Sequence, residues 1–165
     1  MDAKNFTTTI LVDKTPKEVF NAINNVRGWW SENIDGNTDK LDAEFLYRYK
    51  DVHICKIKIV QFIPEKKVAW LVLENHFNFT KDQGEWKGNK IIFEISEKDN
   101  QTQINFTQIG LTSEYECYNV CQDAWTGYIQ GSLKDLASIG KGKPNTKEDD
   151  SLNKELLKKW GLPKK

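Results

Sequence analysis

Methionine occurs once, histidine twice, cysteine three times and proline four times in 165 residues, and each scarcity excludes something. Three cysteines, Cys55, Cys117 and Cys121, are an odd and small number, so a disulfide framework is not expected; reduced thiols in a cytoplasmic protein are the simplest reading. Cys117 and Cys121 stand four apart and share a helix face. A zinc site needs about four ligands, and the two histidines, His53 and His76, fall on other strands, so no metal site and no cofactor are expected and the thiols read as buried. No run of 18 or more apolar residues is present, which excludes a membrane-spanning helix. The N-terminus, "MDAKNFTTTILVDKTP", lacks the apolar core of a signal peptide. Neither charge sign dominates: 24 basic and 24 acidic residues give a net charge of zero, without the basic footprint of a nucleic-acid binder. GxSxG, HExxH, Walker A and GxGxxG motifs are absent. "GKGKPN" is rich in glycine and lysine, but it follows a helix instead of linking a strand to one, so it reads as a helix stop and not a phosphate loop.

What remains is a single-domain length with pronounced periodicity. "NFTTTILVD" alternates as a strand with Phe6, Thr8 and Ile10 on one face. "TPKEVFNAINN" carries helix-start signals: Thr15 as N-cap, Pro16 at the first helical position and Glu18 completing a capping box. A helix is expected over about 16–24, with a second short turn over 26–31. Alternation then places Leu41, Ala43, Phe45, Tyr47 and Tyr49 on one strand face, and Cys55, Ile57 and Ile59 opposite Lys56 and Lys58 on the next. "KVAWLVLEN" is a further strand. Residues 87–111 form a hairpin turning at 98–101, with Ile91, Phe93, Ile95, Ile104 and Phe106 inward. From about Ser113 to Ile139 the period changes to that of one long helix, with Tyr118, Cys121, Trp125, Tyr128, Ser132 and Leu136 on a stripe. Ala124, Gly127 and Gly131 form a line of small residues suited to close packing. Gly140 and Gly142 end the helix and Pro144 prevents its restart. The domain is therefore expected over residues 1–140, and 141–165 as a polar tail with a candidate short helix at about 151–160.

Half-buried antiparallel strands need a cover, and the long C-terminal helix is the element long enough to supply it. The expected fold is α+β: a curved antiparallel sheet wrapped around a long C-terminal helix, with two short helices after the first strand. This order, together with "TPKEVFNAINNVRGWWS" and "DAWTGYIQGSLKDLASIGKGKPN", resembles the START-like (Bet v 1-like, helix-grip) superfamily over roughly residues 5–140. Within it the chain resembles the branch named after the activator of Hsp90 ATPase. Thr15-Pro16, Val19-Phe20, Trp29-Trp30, Trp125 and Ser132-Leu133-Lys134 carry the likeness. The resemblance implies a cavity between sheet and helix used for hydrophobic ligands or lipids, and Hsp90 as an alternative partner.

The candidate cavity lining is Trp29, Trp30, Phe45, Tyr47, Trp70, Phe93, Phe106, Gln108, Cys121, Trp125 and Tyr128. Inward aromatics read equally as an ordinary core or as an apolar pocket with polar tips at Tyr47, Gln108 and Tyr128. No catalytic residue is assigned. The expected role is non-enzymatic binding of a small hydrophobic or amphipathic molecule, the alternatives being a co-chaperone-like interaction module and a cyclase- or hydrolase-type enzyme using His76 with Glu74. Adjacent helical residues diverge by about 100°. One of the paired indoles is therefore expected to anchor the core and the other to sit at the cavity mouth, beside a mobile flap formed by "SENIDGNTDK" between bends at Gly28 and Gly36.

Overall fold

The computed structural model describes residues 4–49, 53–77 and 80–145. Within them, seven strands form one antiparallel sheet in the order β1-β7-β6-β5-β4-β3-β2. The strands are β1 (Phe6–Val12), β2 (Ile34–Gly36), β3 (Glu44–Tyr49), β4 (His53–Ile63), β5 (Lys67–Phe77), β6 (Lys90–Lys98) and β7 (Gln101–Ile109). Only the step from β1 to β7 joins strands distant in sequence, pairing Phe6 with Gln108 through Val12 with Thr102. Alternation is obeyed along β3, where Phe45, Tyr47 and Tyr49 are buried and their neighbours exposed. The hairpin β6–β7 turns on Asp99 and Asn100, both with positive φ, the pair of left-handed residues that a two-residue hairpin turn requires.

Between β1 and β2 lie α1 (Pro16–Asn24) and α2 (Val26–Trp29). The Thr15 hydroxyl accepts the Glu18 N–H at 3.2 Å and donates to the Glu18 carboxylate at 3.1 Å, so the start of α1 is capped by the residues its sequence named. The C-terminal helix is α3 (Tyr118–Gly127), a π-helical stretch (Tyr128–Leu133) and α4 (Lys134–Ile139), closed by Gly140 at φ 79°. It packs on the concave face of the curved sheet and gives the helix-grip arrangement expected.

Four expectations need correction. The long helix starts at Tyr118, not Ser113, because the preceding backbone N–H groups of Glu116 and Cys117 turn aside to the Glu85 carboxylate. It is not uniformly α-helical either: the π stretch adds a residue to one turn, so Ile129, Leu133 and Ala137 join Trp125 on the buried side. Close packing occurs at Gly28 and Gly142, whereas a Cβ on Gly131, at the end of the small-residue line, would meet open space. A Cβ on Gly142 would run into the Gly28 carbonyl oxygen. Finally, "SENIDGNTDK" is no free flap. Ile34–Gly36 is an edge strand on β3, Arg27 donates to the carbonyls of Ile34 and Gly36, and the Thr38 hydroxyl donates to the Asn24 carbonyl.

The chain leaves α4 and folds back on α2. Asn145 N–H donates to the Trp30 carbonyl at 3.0 Å, Glu32 N–H to the Asn145 carbonyl at 2.7 Å, and the Asn145 amide to the Tyr128 hydroxyl at 2.7 Å. Ser132 Oγ joins the two ends of this region, donating to the Trp29 carbonyl and accepting from Lys143 N–H, both at 2.7 Å. The candidate helix at 151–160 lies outside the described residues.

Candidate functional site

Strand parity and helix period bring all eleven predicted lining residues into one interior, each at most 5% exposed. Trp70 stands at the middle of β5, flanked by Phe45 at 5.2 Å and Phe93 at 4.9 Å between ring centres. Trp29 and Trp30 enter from the end of α2, Trp125 and Tyr128 from the C-terminal helix. The tryptophan pair stacks at 6.2 Å and 17°, and Trp30 lies flat on Tyr47 at 4.1 Å and 9°. Both indoles are buried, so neither stands at a mouth. The physical reason is that α2 is a single turn: the chain leaves it at Trp30, and residues 143–145 cover the side that an isolated helix would show to water.

Sequence reasoning missed three members of the same interior: His53, Phe77 and Trp86. His53 packs on Phe77 at 4.3 Å, Trp86 at 4.7 Å and Tyr47 at 5.3 Å. Its signal was present, because His53 has the parity of Cys55, Ile57 and Ile59. Trp86 sits among turns at 80–88 that have no period to read. A reciprocal clasp fixes it there. The Glu85 carboxylate accepts from Glu116 and Cys117 N–H, while the Glu116 carboxylate accepts from Lys81 and Asp82 N–H. Charge-assisted bonds to a buried carboxylate are strong. Glu85→Ala should therefore cost about 2–3 kcal/mol in chemical denaturation, with increased hydrogen exchange at the start of α3.

Two polar strings thread the aromatic interior. In the first, Trp125 Nε1 donates to Gln108 at 2.8 Å, the Gln108 amide donates to Asn89 at 2.9 Å, and the Asn89 amide donates to the Tyr115 hydroxyl at 2.9 Å. Gln108 is fully buried and its amide is satisfied at both ends, as a buried amide must be to avoid a desolvation penalty. In the second, the Asn75 amide donates to the Gln83 carbonyl at 3.1 Å, leaving its oxygen to accept from His53 Nε2 at 2.8 Å. His53 thus carries its proton on Nε2. Burial lowers its pKa to about 3, opposed by the Asn75 bond and assisted by the charge of His76, so the ring is neutral at physiological pH. Burial also raises the Cys55 and Cys117 thiols, which stay protonated and unreactive.

Trp29 Nε1 donates to the Ile23 carbonyl at 3.0 Å, whereas Trp70 Nε1 is buried without a hydrogen-bond partner. The Trp86 N–H is turned to the Cys117 thiol and favours its ionisation. Orphaned buried donors are uncommon and costly. The rings themselves are in mutual contact. Clefts of 490, 520 and 520 Å³ open on the surface beside α1, and these three do not touch the eleven lining residues.

His76 and Glu74 lie exposed on the outer sheet face, where Glu74 pairs with Lys87 at 3.3 Å, so they face away from the interior. Cys55, Cys117 and Cys121 are buried and unbonded to one another as disulfides. Among the described residues no group of three or more His, Cys, Asp or Glu is placed to hold a metal, and no helix is long and apolar enough to cross a membrane.

No family model and no curated protein matches the chain. Solved structures do. The Aha1 dimer from Colwellia psychrerythraea is 25% identical, with a TM-score of 0.67 over 84% of this chain and 99% of that one. SSP2350 from Staphylococcus saprophyticus is 16% identical, with a TM-score of 0.63 over 87% and 98%. MLL2253 from Mesorhizobium loti is 10% identical, with a TM-score of 0.64 over 81% and 96%. Element order, sheet topology and the gripped C-terminal helix agree with these likenesses: the chain has the START-like helix-grip fold of the Aha1-like kind.

Proposed function

We propose that the chain is a non-enzymatic cytoplasmic binding protein whose residues 1–140 hold a small hydrophobic or amphipathic molecule between sheet and C-terminal helix. The observation that carries this is the orphaned indole N–H of Trp70 inside an otherwise apolar, aromatic interior. Apolar walls supply affinity through area removed from water, and a few buried polar groups fix orientation. Because the rings touch, a guest enters by parting them, and its own contacts replace those it breaks. Trp29, Trp30, Phe45, Tyr47, Trp70, Phe93, Phe106, Gln108, Cys121, Trp125 and Tyr128 are the proposed lining.

Titration with Nile red, a neutral apolar dye, tests the role. Saturable blue-shifted emission at one equivalent is expected, together with a rise in melting temperature, since a ligand at 100 times its dissociation constant adds about 2.7 kcal/mol. Emission no greater than with an unrelated folded protein of this size would oppose it.

The likeness to Aha1 across nearly the whole of that chain favours one second reading, an Hsp90-directed interaction module. It expects the purified chain to raise the ATPase rate of Hsp90 from the same cell. No binding and no change in rate would remove it.

A further inference from the structure

We infer that the guest is an uncharged, flat aromatic molecule carrying a hydrogen-bond acceptor, and not a fatty acid or other anionic amphiphile. The inference rests on the ligand-binding role proposed above and narrows its chemistry.

Charge is the first argument. Among the described residues no lysine or arginine is buried, and the buried ionisable side chains other than thiols and the tyrosine phenols are His53 and Glu85. His53 is neutral, with its pKa lowered to about 3 by burial, and its Nε2–H is already given to Asn75. The Glu85 carboxylate, next in sequence to Trp86, is an anion engaged by two backbone N–H groups. A carboxylate, sulfate or phosphate guest would be stripped of water with no cation to meet it and would add a like charge near Glu85.

The second argument concerns the donor. Trp70 Nε1 is neutral and unpartnered, and an indole N–H can only donate. It matches a carbonyl, ether or ring nitrogen. A pure hydrocarbon would leave it unsatisfied.

Shape is the third. The walls present nearly parallel ring faces: Trp30 on Tyr47 at 9°, Trp29 on Trp70 at 11°, Trp30 on Trp70 at 13° and Trp86 on Trp125 at 12°. A flat guest can take the place of one ring's contact with another and keep offset stacking. An acyl chain cannot.

Three probes sharing one ring system separate these points: 2-acetylnaphthalene (neutral, with an acceptor), 2-ethylnaphthalene (neutral, without one) and 2-naphthoate (anionic). Calorimetric titration of the full chain at pH 7.5 is expected to rank the ketone first. It should bind about fivefold tighter than the hydrocarbon, the worth of one neutral hydrogen bond, and about a hundredfold or more tighter than the carboxylate. Trp70→Phe keeps a ring and removes the donor, and should abolish the ketone's advantage over the hydrocarbon. The wild-type ranking decides the matter even where a variant fails to fold. Naphthoate binding as tightly as the ketone would overturn the charge argument while leaving the binding role intact. Equal binding of ketone and hydrocarbon would overturn the acceptor argument. Failure of all three to bind, with no Nile red response, would overturn the binding role itself and this inference with it.

Discussion

Trp30→Ala is expected to cost about 3–5 kcal/mol, the range for truncating a large buried aromatic. For a domain whose whole stability is of order 5–15 kcal/mol, that removes about a fifth or more of the margin. Trp30 is 2% exposed and its indole meets Tyr47, Trp29, Trp70, Trp125 and Tyr128, drawn from sheet, short helix and C-terminal helix alike. The neighbours are held by their own elements and cannot collapse together into the space. Urea denaturation of wild type, Trp30→Ala and Trp30→Phe measures it, with the phenylalanine variant expected to lose clearly less. A cost for Trp30→Ala below about 1 kcal/mol would place Trp30 at a yielding, solvent-facing position and contradict the packing described.

Acidification should produce the other large effect, through His53. Its folded pKa, about 3, lies below the ordinary 6.5 because burial opposes the charged ring. Below pH 6.5 the unfolded chain binds a proton that the folded chain refuses. Stability from this group is therefore complete above about pH 6.5 and falls as pH drops towards 3. The slope approaches about 1.4 kcal/mol per pH unit, so about 2 kcal/mol is lost between pH 7 and pH 5. His53→Gln cannot titrate. Whatever its stability at pH 7, it should lose about 2 kcal/mol less than wild type over that interval, in urea midpoints measured at several pH values. Parallel curves for the two proteins would show that His53 titrates normally and is not enclosed.

Much of the fold was legible because the sequence repeats at the two periods that matter. Phe45, Tyr47 and Tyr49, then Cys55, Ile57 and Ile59, are buried as alternation requires. Thr15, Pro16 and Glu18 announce α1, and Gly140 closes the C-terminal helix. The edge strand Ile34–Gly36 was not legible, since three residues ending in glycine are too few to show a period; its pairing is fixed by Arg27 reaching across to its carbonyls. The π-helical stretch escaped as well. A stripe read at 3.6 residues per turn passes through Tyr128 and Ser132, whereas the widened turn also buries Ile129 and Leu133.

For the interior, parity found Phe45, Tyr47, Trp70, Phe93, Phe106 and Gln108, and helix period found Cys121, Trp125 and Tyr128. Trp86 depends on tertiary contacts alone: the clasp between Glu85 and the turn at 116–117 places it, and no local pattern encodes that. The pair Trp29 and Trp30 shows the limit of the angular argument. A 100° divergence separates inside from outside only where a helix has an outside, and the return of residues 143–145 over α2 removes it.

The indole N–H resonances of 15N-labelled protein test the central claim most directly, as 2-acetylnaphthalene is added. A guest accepting a bond in the aromatic interior should move the Trp70 Nε1–H signal downfield, and leave those of Trp29 and Trp125, already bonded to Ile23 and Gln108, with smaller changes. An unmoved Trp70 signal at a concentration that saturates calorimetric binding would show that the molecule binds elsewhere, and that the aromatic interior is a core and not a site.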